Sequence, residues 1–198
     1  MIPEDILRRH HARLLTLVKG DTIFREGENA AHFYIVRQGH VKMGNLSEDG
    51  KEFIQGYFTN GQSFGEPPFF AQVPYPAFAV AVTPSEVWRI GREEFLSLLR
   101  KHVDIHLEIT TTLSARLIYK SIMLSEIAIE EAEHRVRTLL MYLRETMGEK
   151  SAPYTVPFSR QQLADMSGLR VETVIRTVKL LEQKGILTIS DQGKIIIT

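Results

Sequence analysis

The sequence predicts an α+β protein made of an antiparallel β-roll, a long helix and a carboxyl-terminal helix–turn–helix with a hairpin. Three observations support this prediction. Short alternating apolar runs cut by glycine fill the amino-terminal half, and residues 104–133 contain neither glycine nor proline. Near the carboxyl end, two helix-spaced apolar runs flank the tight turn Ser167-Gly168-Leu169.

The β-roll is predicted over residues 1–103. Its strands are expected where apolar and polar residues alternate, because successive side chains of a strand face opposite sides of a sheet. The runs with this pattern are residues 21–27, 32–39, 40–46, 52–58, 78–82 and 85–90. Glycines that suit turns with positive φ separate or end them, namely Gly27, Gly39, Gly50, Gly61 and Gly65. We therefore predict a jelly-roll sheet.

A helical period begins after Gly91 and continues into a long helix that we predict over residues 104–129. The apolar residues that fit the a and d positions of a heptad repeat in it are Leu113, Leu117, Leu124 and Ile127. Lys120 interrupts one d position. Because an apolar seam of this length usually needs a partner helix, we predict a homodimer interface here. Packing of the helix on the protein's own β-roll is the alternative.

The third part is predicted over residues 130–198 and begins with another amphipathic helix. Its apolar stripe comprises Val136, Leu139, Leu140, Leu143 and Met147. Gly148 is expected to end this helix. Residues 149–158 should then form a loop with an extended piece, because Pro153 and Pro157 do not fit a helix.

The next residues have the spacing of a helix–turn–helix. Ser159 and Gln162 match the capping box that begins a helix. Where two such helices cross, the first requires a small residue, the turn a glycine, and the second an apolar residue that packs back. Ala164, Gly168 and Val174 occupy these positions.

A hairpin is expected after the second helix, which Gly185 should end. Short apolar runs lie on either side of the turn at residues 191–194. The complete module is therefore predicted to be a winged helix. A unit that only packs, without contacting DNA, could have the same elements, but the surface residues of the second helix favour DNA binding.

Glu172 and Arg176 lie four residues apart, and therefore on one face near the start of the second helix. Arginine can donate to O6 and N7 of guanine, and glutamate can accept from N4 of cytosine. We predict that these two residues read bases; a solvated ion pair between them is the alternative. Further DNA contacts are predicted at Arg170, Val171, Thr173, Thr177, Lys179 and Lys194. Of these, Arg170 and Lys194 are expected to hold phosphates.

Composition excludes several other classes of function. The chain has no cysteine, which removes disulfides, thiolate nucleophiles, cysteine-bound zinc and iron–sulfur clusters. Its net charge is zero, although residues 150–198 carry more Lys and Arg than Asp and Glu. With no apolar run long enough for a bilayer and no secretion signal, we expect a cytoplasmic protein without membrane contact. Without a Gly-x-Ser-x-Gly elbow or a phosphate-binding glycine loop, we expect no enzyme activity.

The chain resembles a known family over nearly its whole length. The glycine-punctuated roll with Phe64-Gly65-Glu66, the long helix and "RVETVIR" at residues 170–176 are similar to the cyclic-AMP receptor protein and fumarate–nitrate regulator (CRP/FNR) family. The resemblance implies a homodimeric bacterial transcription factor that senses a signal in its β domain. Its partners would be a two-fold symmetric site on double-stranded DNA and RNA polymerase. The second helix is more similar to the fumarate–nitrate branch, because the cyclic-AMP branch has arginine at the position of Val171.

The sequence departs from the family at the cyclic-nucleotide site. The family's nucleotide binders follow Gly-Glu with Arg-Ser-Ala, in which the arginine neutralises the cyclic phosphate and the glutamate holds the ribose hydroxyl. Tyr75-Pro76-Ala77 stands in that place, so a buried phosphate would lack a charged donor. We therefore expect no cyclic nucleotide, although Glu66 is present. The oxygen-sensing iron–sulfur cluster is excluded by the lack of cysteine.

An aromatic segment replaces that site and, by resemblance, faces the long helix. Two interpretations are open: the aromatic side chains fill the former nucleotide site, which we favour, or they line a pocket for an apolar molecule. In the second case Lys120 would be available to an acidic group. The candidate effector pocket comprises Phe64, Gly65, Glu66, Phe69, Phe70, Tyr75, Pro76, Leu117, Lys120 and Ser121.

Histidines could hold haem or a metal ion, and His102 with His106 has the i,i+4 spacing of a ligand pair. No third ligand stands out nearby in sequence, so we predict no metal site and leave haem open.

A different class of function also remains for the whole chain. A regulatory module of the cyclic-nucleotide-binding type that acts on protein partners would need neither the Glu172/Arg176 helix nor the wing.

Overall fold

The computed structural model describes residues 2–48, 50, 52–129, 131–148 and 153–197. The chain divides into two compact units, Met1–Thr111 and Thr112–Thr198. The predicted three-part division at residues 103 and 129 stays a prediction.

The amino-terminal unit contains two four-stranded antiparallel sheets. Its strands are β1 (Arg13–Leu17), β2 (Thr22–Phe24), β3 (His32–Gln38), β4 (Val41–Leu46), β5 (Glu52–Phe58), β6 (Ser63–Phe64), β7 (Phe78–Ala81) and β8 (Ser85–Gly91). The strand orders are β1-β8-β3-β6 and β2-β7-β4-β5. Helix α1 (Glu4–Arg9) precedes β1, α2 (Glu66–Ala71) follows β6, and α3 (Arg92–Lys101) follows β8. The predicted roll of antiparallel strands is confirmed.

Every predicted strand is present, but the sequence interpretation missed β1, β6, α1 and α2. Strand β1 reads Arg-Leu-Leu-Thr-Leu, in which adjacent leucines obscure the alternation. It is a strand because it pairs with β8 along its whole length, from Arg13 opposite Arg89 to Leu17 opposite Ser85. Strand β6 has only two residues and exists through its pairing with β3.

Aromatic side chains form the centre of this unit. Phe33 on β3 stacks on Phe95 of α3 with 3.8 Å between ring centroids, and Phe69 of α2 meets both rings edge-on. All three side chains are fully buried. Each contributes about 1.5–3 kcal/mol through burial. These rings therefore hold α2 and α3 against the sheet.

Helix α4 (Val103–Ile129) crosses the boundary between the two units. Its buried side chains include Ile105 and Ile109 in the first unit, and Met123 and Glu126 in the second. In the described part of the chain, no helix, α4 included, has both the length and the apolar character that crossing a membrane requires.

The carboxyl-terminal unit continues with α5 (Ala132–Met147), β9 (Tyr154–Thr155), α6 (Arg160–Ser167), α7 (Val171–Gln183), β10 (Thr188–Ile189) and β11 (Ile195–Ile197). The strands form one sheet in the order β10-β11-β9. The extended piece predicted around the two prolines is thus the third strand of the wing. Residues 149–152 of the predicted loop lie outside the described residues.

The stripe predicted on α5 is buried, except at its end. Val136, Leu139, Leu140 and Leu143 are at most 4% exposed, whereas Met147 is half-buried. Gly148 follows the helix as predicted. A Cβ at Gly148 would lie 2.5 Å from the carbonyl oxygen of Arg144, so close approach of the backbone favours glycine there.

The helix–turn–helix has the local chemistry that its sequence predicts. The Ser159 hydroxyl accepts a hydrogen bond from the Gln162 backbone N–H at 3.2 Å, and Gln162 Oε1 accepts from the Ser159 N–H at 2.8 Å. Gly168 has a φ of 68° after α6, and a Cβ there would meet no atom within 4 Å. The left-handed backbone alone therefore favours glycine. Ala164 and Val174 are buried.

Replacing Ser159 by Ala should weaken the start of α6. The variant loses the acceptor for the Gln162 amide, which costs about 1 kcal/mol. Hydrogen exchange of the first-turn amides of α6 should accelerate about fivefold. Ser125→Ala, on the exposed surface of α4, is the matched control and should leave these amides unchanged. Equal exchange rates in both variants would show that the capping box does not stabilise this end of the helix.

Candidate DNA-binding and effector sites

Helix α7 has one buried face and one exposed face. Val174, Thr177, Val178 and Leu181 are buried at the spacing of one side of a helix. The opposite side carries exposed residues at the same spacing, namely Glu172, Ile175, Arg176 and Lys179. Burial of the apolar face therefore determines which side chains α7 presents to a partner.

Glu172 and Arg176 are both exposed near the start of α7. Within the described residues, no ion pair joins the Glu172 carboxylate to the Arg176 guanidinium. Both charged groups face solvent, where each could contact a base edge.

The prediction for Thr177 needs correction. This residue was expected to contact DNA, but its side chain is 6% exposed and belongs to the buried face of α7. It lies three residues after Val174 and one before Val178, so the helical repeat turns it inward. Thr173 and Val171 are half-buried, and Lys179 is exposed.

Sequence reasoning missed Ile175. Its side chain is 41% exposed on the same face as Glu172 and Arg176, where a large apolar residue has no packing role. The signal was available, because an apolar residue one position before the predicted arginine interrupts an otherwise polar face.

The flanks of α7 place two further cations at the surface. Arg170 is the N-cap residue of α7, and Lys194 precedes β11 in the wing; both are exposed. The wing is held to the helices by directional contacts. Arg160 Nη2 of α6 donates to the Gly193 carbonyl at 3.2 Å, and Glu182 Oε1 of α7 accepts from the Ile189 N–H at 2.9 Å. The wing turn therefore has a defined position beside α6 and α7.

The aromatic part of the candidate effector pocket is tightly packed in the amino-terminal unit. Phe64, Phe69 and Tyr75 are at most 2% exposed. Tyr75 stacks on Phe24 at 3.7 Å between centroids, and its hydroxyl donates to the His32 carbonyl at 3.1 Å. Desolvation raises the pKa of Tyr75, so the phenol stays protonated. The three aromatic side chains therefore belong to the buried interior of this unit.

Gly65 and Glu66 lie directly beside these rings. Gly65 has a φ of 77°, and a Cβ on it would come within 3.3 Å of both the Phe24 and Tyr75 rings. Glu66 is 2% exposed and accepts a hydrogen bond from the Ser63 hydroxyl. Its carboxylate is thus engaged inside the unit. Phe70 is half-buried, and Pro76 is exposed.

The remaining pocket residues, Leu117, Lys120 and Ser121, lie on α4 in the second compact unit. Leu117 is 66% exposed. Desolvation lowers the pKa of Lys120, and the positive charge of Arg116 lowers it further. These three residues therefore belong to a different compact unit from Phe64 and Tyr75.

His102 and His106, which have the spacing of a ligand pair, were expected to be a solvated or capping feature rather than a metal site. His102 is the C-cap residue of α3, and its ring meets that of His10, with 6.0 Å between centroids. The link between His106 and His102 is a backbone hydrogen bond of 3.1 Å. Among the described residues, no group of three or more His, Asp or Glu side chains could hold a metal ion.

The predicted seam on α4 is largely exposed. Leu117, Leu124 and Ile127 are 66%, 69% and 47% exposed, whereas Leu113 is half-buried. The exposed apolar surface is wider than predicted, because Ile118 and Ile122 also belong to it.

Comparison with known proteins identifies both parts of the chain. Residues 14–102 match the family model of the cyclic nucleotide-binding domain, and residues 134–198 match that of the Crp-like helix-turn-helix domain. The cAMP-activated global transcriptional regulator CRP of Pasteurella multocida is 29% identical over 190 residues, which cover 94% of this chain and 90% of that protein. The cyclic AMP receptor protein of Thermus thermophilus is 28% identical over 170 residues, which cover 85% of this chain and 76% of that protein.

Solved structures share the fold. FixK2 from Bradyrhizobium japonicum superposes with a TM-score of 0.78 at 24% identity, covering 94% of this chain and 92% of that one. The c-di-GMP responsive regulator CLP of Xanthomonas campestris gives a TM-score of 0.73 at 24% identity, covering 98% and 99%. The two family models together span most of the chain, and with the curated relatives they show that the chain belongs to the CRP/FNR family of DNA-binding transcription regulators, which are not enzymes.

Proposed function

We propose that this protein is a homodimer that binds a two-fold symmetric DNA site through α7 and regulates transcription there. The exposed face formed by Glu172, Ile175 and Arg176 carries this proposal. Among the described residues, the Glu172 carboxylate and the Arg176 guanidinium are not paired with each other. Both side chains are exposed near the start of α7. The amino-terminal part of a recognition helix is the part that contacts base edges.

Each residue of this face matches a different base. Arg176 donates to O6 and N7 of guanine, and Glu172 accepts from N4 of the cytosine of an adjoining pair. Ile175 lies beside Glu172 on this face, on the side away from Arg176, and fits the methyl group of a thymine. By resemblance, the half-sites contain a TTG-like core. The centres of the two half-sites lie about 10 to 10.5 base pairs apart, one turn of DNA.

Residues around the reading face contact the sugar–phosphate backbone of the DNA. Arg170, Lys179 and Lys194 surround the reading face and contact phosphates, while the partly buried Thr173 and Val171 contribute at its edge. These contacts position the protein without selecting a sequence.

Dimerisation through α4 follows from the exposed apolar residues Leu117, Ile118 and Leu124. A monomer would leave this stripe in water, and a second copy of the helix covers it symmetrically. RNA polymerase is the further partner that family membership suggests for a promoter-bound dimer. A module that acts only on protein partners would have no use for the α7 face, so that alternative is not favoured.

We propose that the β-roll binds no cyclic nucleotide, although the relatives named above are cAMP-activated or cAMP receptors. Tyr75-Pro76-Ala77 supplies no cation for a phosphate, and the Tyr75 ring occupies space against Phe24. An apolar molecule beside Lys120 is the second candidate effector, supported by the exposed Leu117.

Arg176→Ala should reduce affinity for the preferred site by about 1–3 kcal/mol and relax discrimination at one base pair. Lys194→Ala is the matched control: it should weaken all sequences alike and lower the salt slope by about one phosphate contact. Both effects are measurable by fluorescence anisotropy on a selected site and on random DNA. Equal losses on the two DNAs for Arg176→Ala would show that Arg176 does not read a base.

Replacing both Leu117 and Leu124 by Asp should give a monomer that no longer binds the symmetric site, because buried carboxylates oppose the helix contact. Analytical ultracentrifugation measures the change. Val18→Asp is the control, since Val18 is also 66% exposed but lies in the amino-terminal unit. A wild-type protein that sediments as a monomer at high micromolar concentration would rule out the dimer.

Adding cyclic AMP or cyclic GMP should change neither the melting temperature nor DNA affinity. A ligand that binds only the folded state at a hundred times its Kd stabilises by about 2.7 kcal/mol, which a thermal scan detects easily. Saturable heat of binding by calorimetry would contradict this prediction.

Native mass spectrometry should show the polypeptide without a retained molecule if the aromatic residues fill the site; a retained apolar compound would support the second candidate.

A further inference from the structure

A buried carboxylate lies where α4 meets α5 within the carboxyl-terminal unit. Glu126 is 6% exposed, although it belongs to the last turn of α4. Its Oε2 lies 2.6 Å from Nδ1 of His134, and its Oε1 accepts a hydrogen bond of 3.1 Å from the Thr138 hydroxyl. Both carboxylate oxygens on α4 are therefore partnered by α5.

A buried carboxylate is a costly way to join two helices. An apolar side chain of similar volume often gives equal or greater stability, because no charge has to leave water. Hydrogen bonds differ from apolar contacts in fixing direction as well as distance. With one oxygen on His134 and the other on Thr138, sliding or rotating α5 against α4 would break at least one contact.

Arg135, in the first turn of α5, also contacts the end of α4. Arg135 Nη2 donates to the carbonyl oxygens of Glu126 at 3.4 Å and Ile127 at 3.2 Å. These carbonyls are among the last four of α4, which have no partner within the helix. Arg135 thus closes the helix end and adds a further directional contact between the two helices.

The opposite side of this turn contacts the recognition helix. Glu133 of α5 pairs with Nζ of Lys184 at 2.5 Å, and Lys184 is the C-cap residue of α7. A lysine at a helix carboxyl end also interacts favourably with the helix dipole. A continuous set of polar contacts therefore runs from α4 through the first turns of α5 to the end of α7.

We infer that Glu126 is a positioning residue for DNA binding. We name the set Glu126, Glu133, His134, Arg135, Thr138 and Lys184 the polar clasp. The clasp fixes the direction of α7 relative to α4, so that two copies in a dimer present their reading faces at the spacing of successive major grooves. This inference rests on the proposed DNA binding by α7.

Two variants test the clasp, and a third serves as the control. Glu126→Met keeps the volume buried but removes the directional contacts, so the protein should stay as stable as wild type. His134→Ala changes a 55% exposed side chain and leaves folding intact while removing one partner of Glu126. Glu145→Gln removes an exposed carboxylate farther along α5 and should behave as wild type.

The absence of cysteine from the chain allows a direct distance measurement. Spin labels on Ala115→Cys of α4 and Gln183→Cys of α7, with labelled chains diluted into unlabelled protein, report one distance distribution per dimer. The wild-type distribution should be narrow, and both clasp variants should broaden it. Affinity for the symmetric DNA site should fall about tenfold at unchanged melting temperature.

The outcomes separate this inference from the proposed function. An unchanged distance distribution in Glu126→Met and His134→Ala would overturn the clasp, whatever the DNA affinity. A broadened distribution with wild-type affinity would overturn its role in DNA binding. If wild-type protein selected no DNA sequence, the proposed function would fail, and the distances would still show whether the clasp fixes α7.

Discussion

The burial of one face of α7 is the constraint on which the proposed DNA-contacting surface depends. Val174, Val178 and Leu181 leave water together, and each fully buried side chain contributes about 1.5–3 kcal/mol. A rotation of α7 about its axis that turned Arg176 away from its present direction would bring some of these apolar residues into water. The outward direction of Glu172, Ile175 and Arg176 therefore follows from packing on the inner side. Thr177 shows the same constraint, since the helical repeat places it inward despite its hydroxyl.

Apolar packing and polar contacts have different tasks in this unit. The stripe on α5 supplies stability that tolerates small shifts, because dispersion and hydrophobic contacts are not directional. Glu126, Arg135 and Lys184 add contacts that a shift would break. The wing is held in the same manner by Arg160 and Glu182. A helix–turn–helix whose second helix must keep one orientation benefits from both kinds of interaction.

The β-roll matches the cyclic nucleotide-binding domain, and aromatic rings pack beside its Gly65–Glu66 corner. Gly65 remains in a left-handed conformation and Glu66 remains buried, yet the Tyr75 ring lies against Phe24 beside them. A ring that fills this volume is compatible with the fold because jelly-roll stability comes from the sheets and the Phe33–Phe95 stack. The fold alone therefore does not decide which ligand such a domain binds.

The sequence alone determined the strands with clear alternation, the capping box at Ser159, the turn at Gly168 and the exposed position of Glu172 and Arg176 on α7, because each depends on local periodicity or a single backbone conformation. It did not determine β1 or β6, which exist only through pairing with distant strands. It also gave no signal that Glu126 is buried, or that His102 lies beside His10 rather than pairing with His106. Those facts depend on which surfaces meet across the fold, and only tertiary packing decides that.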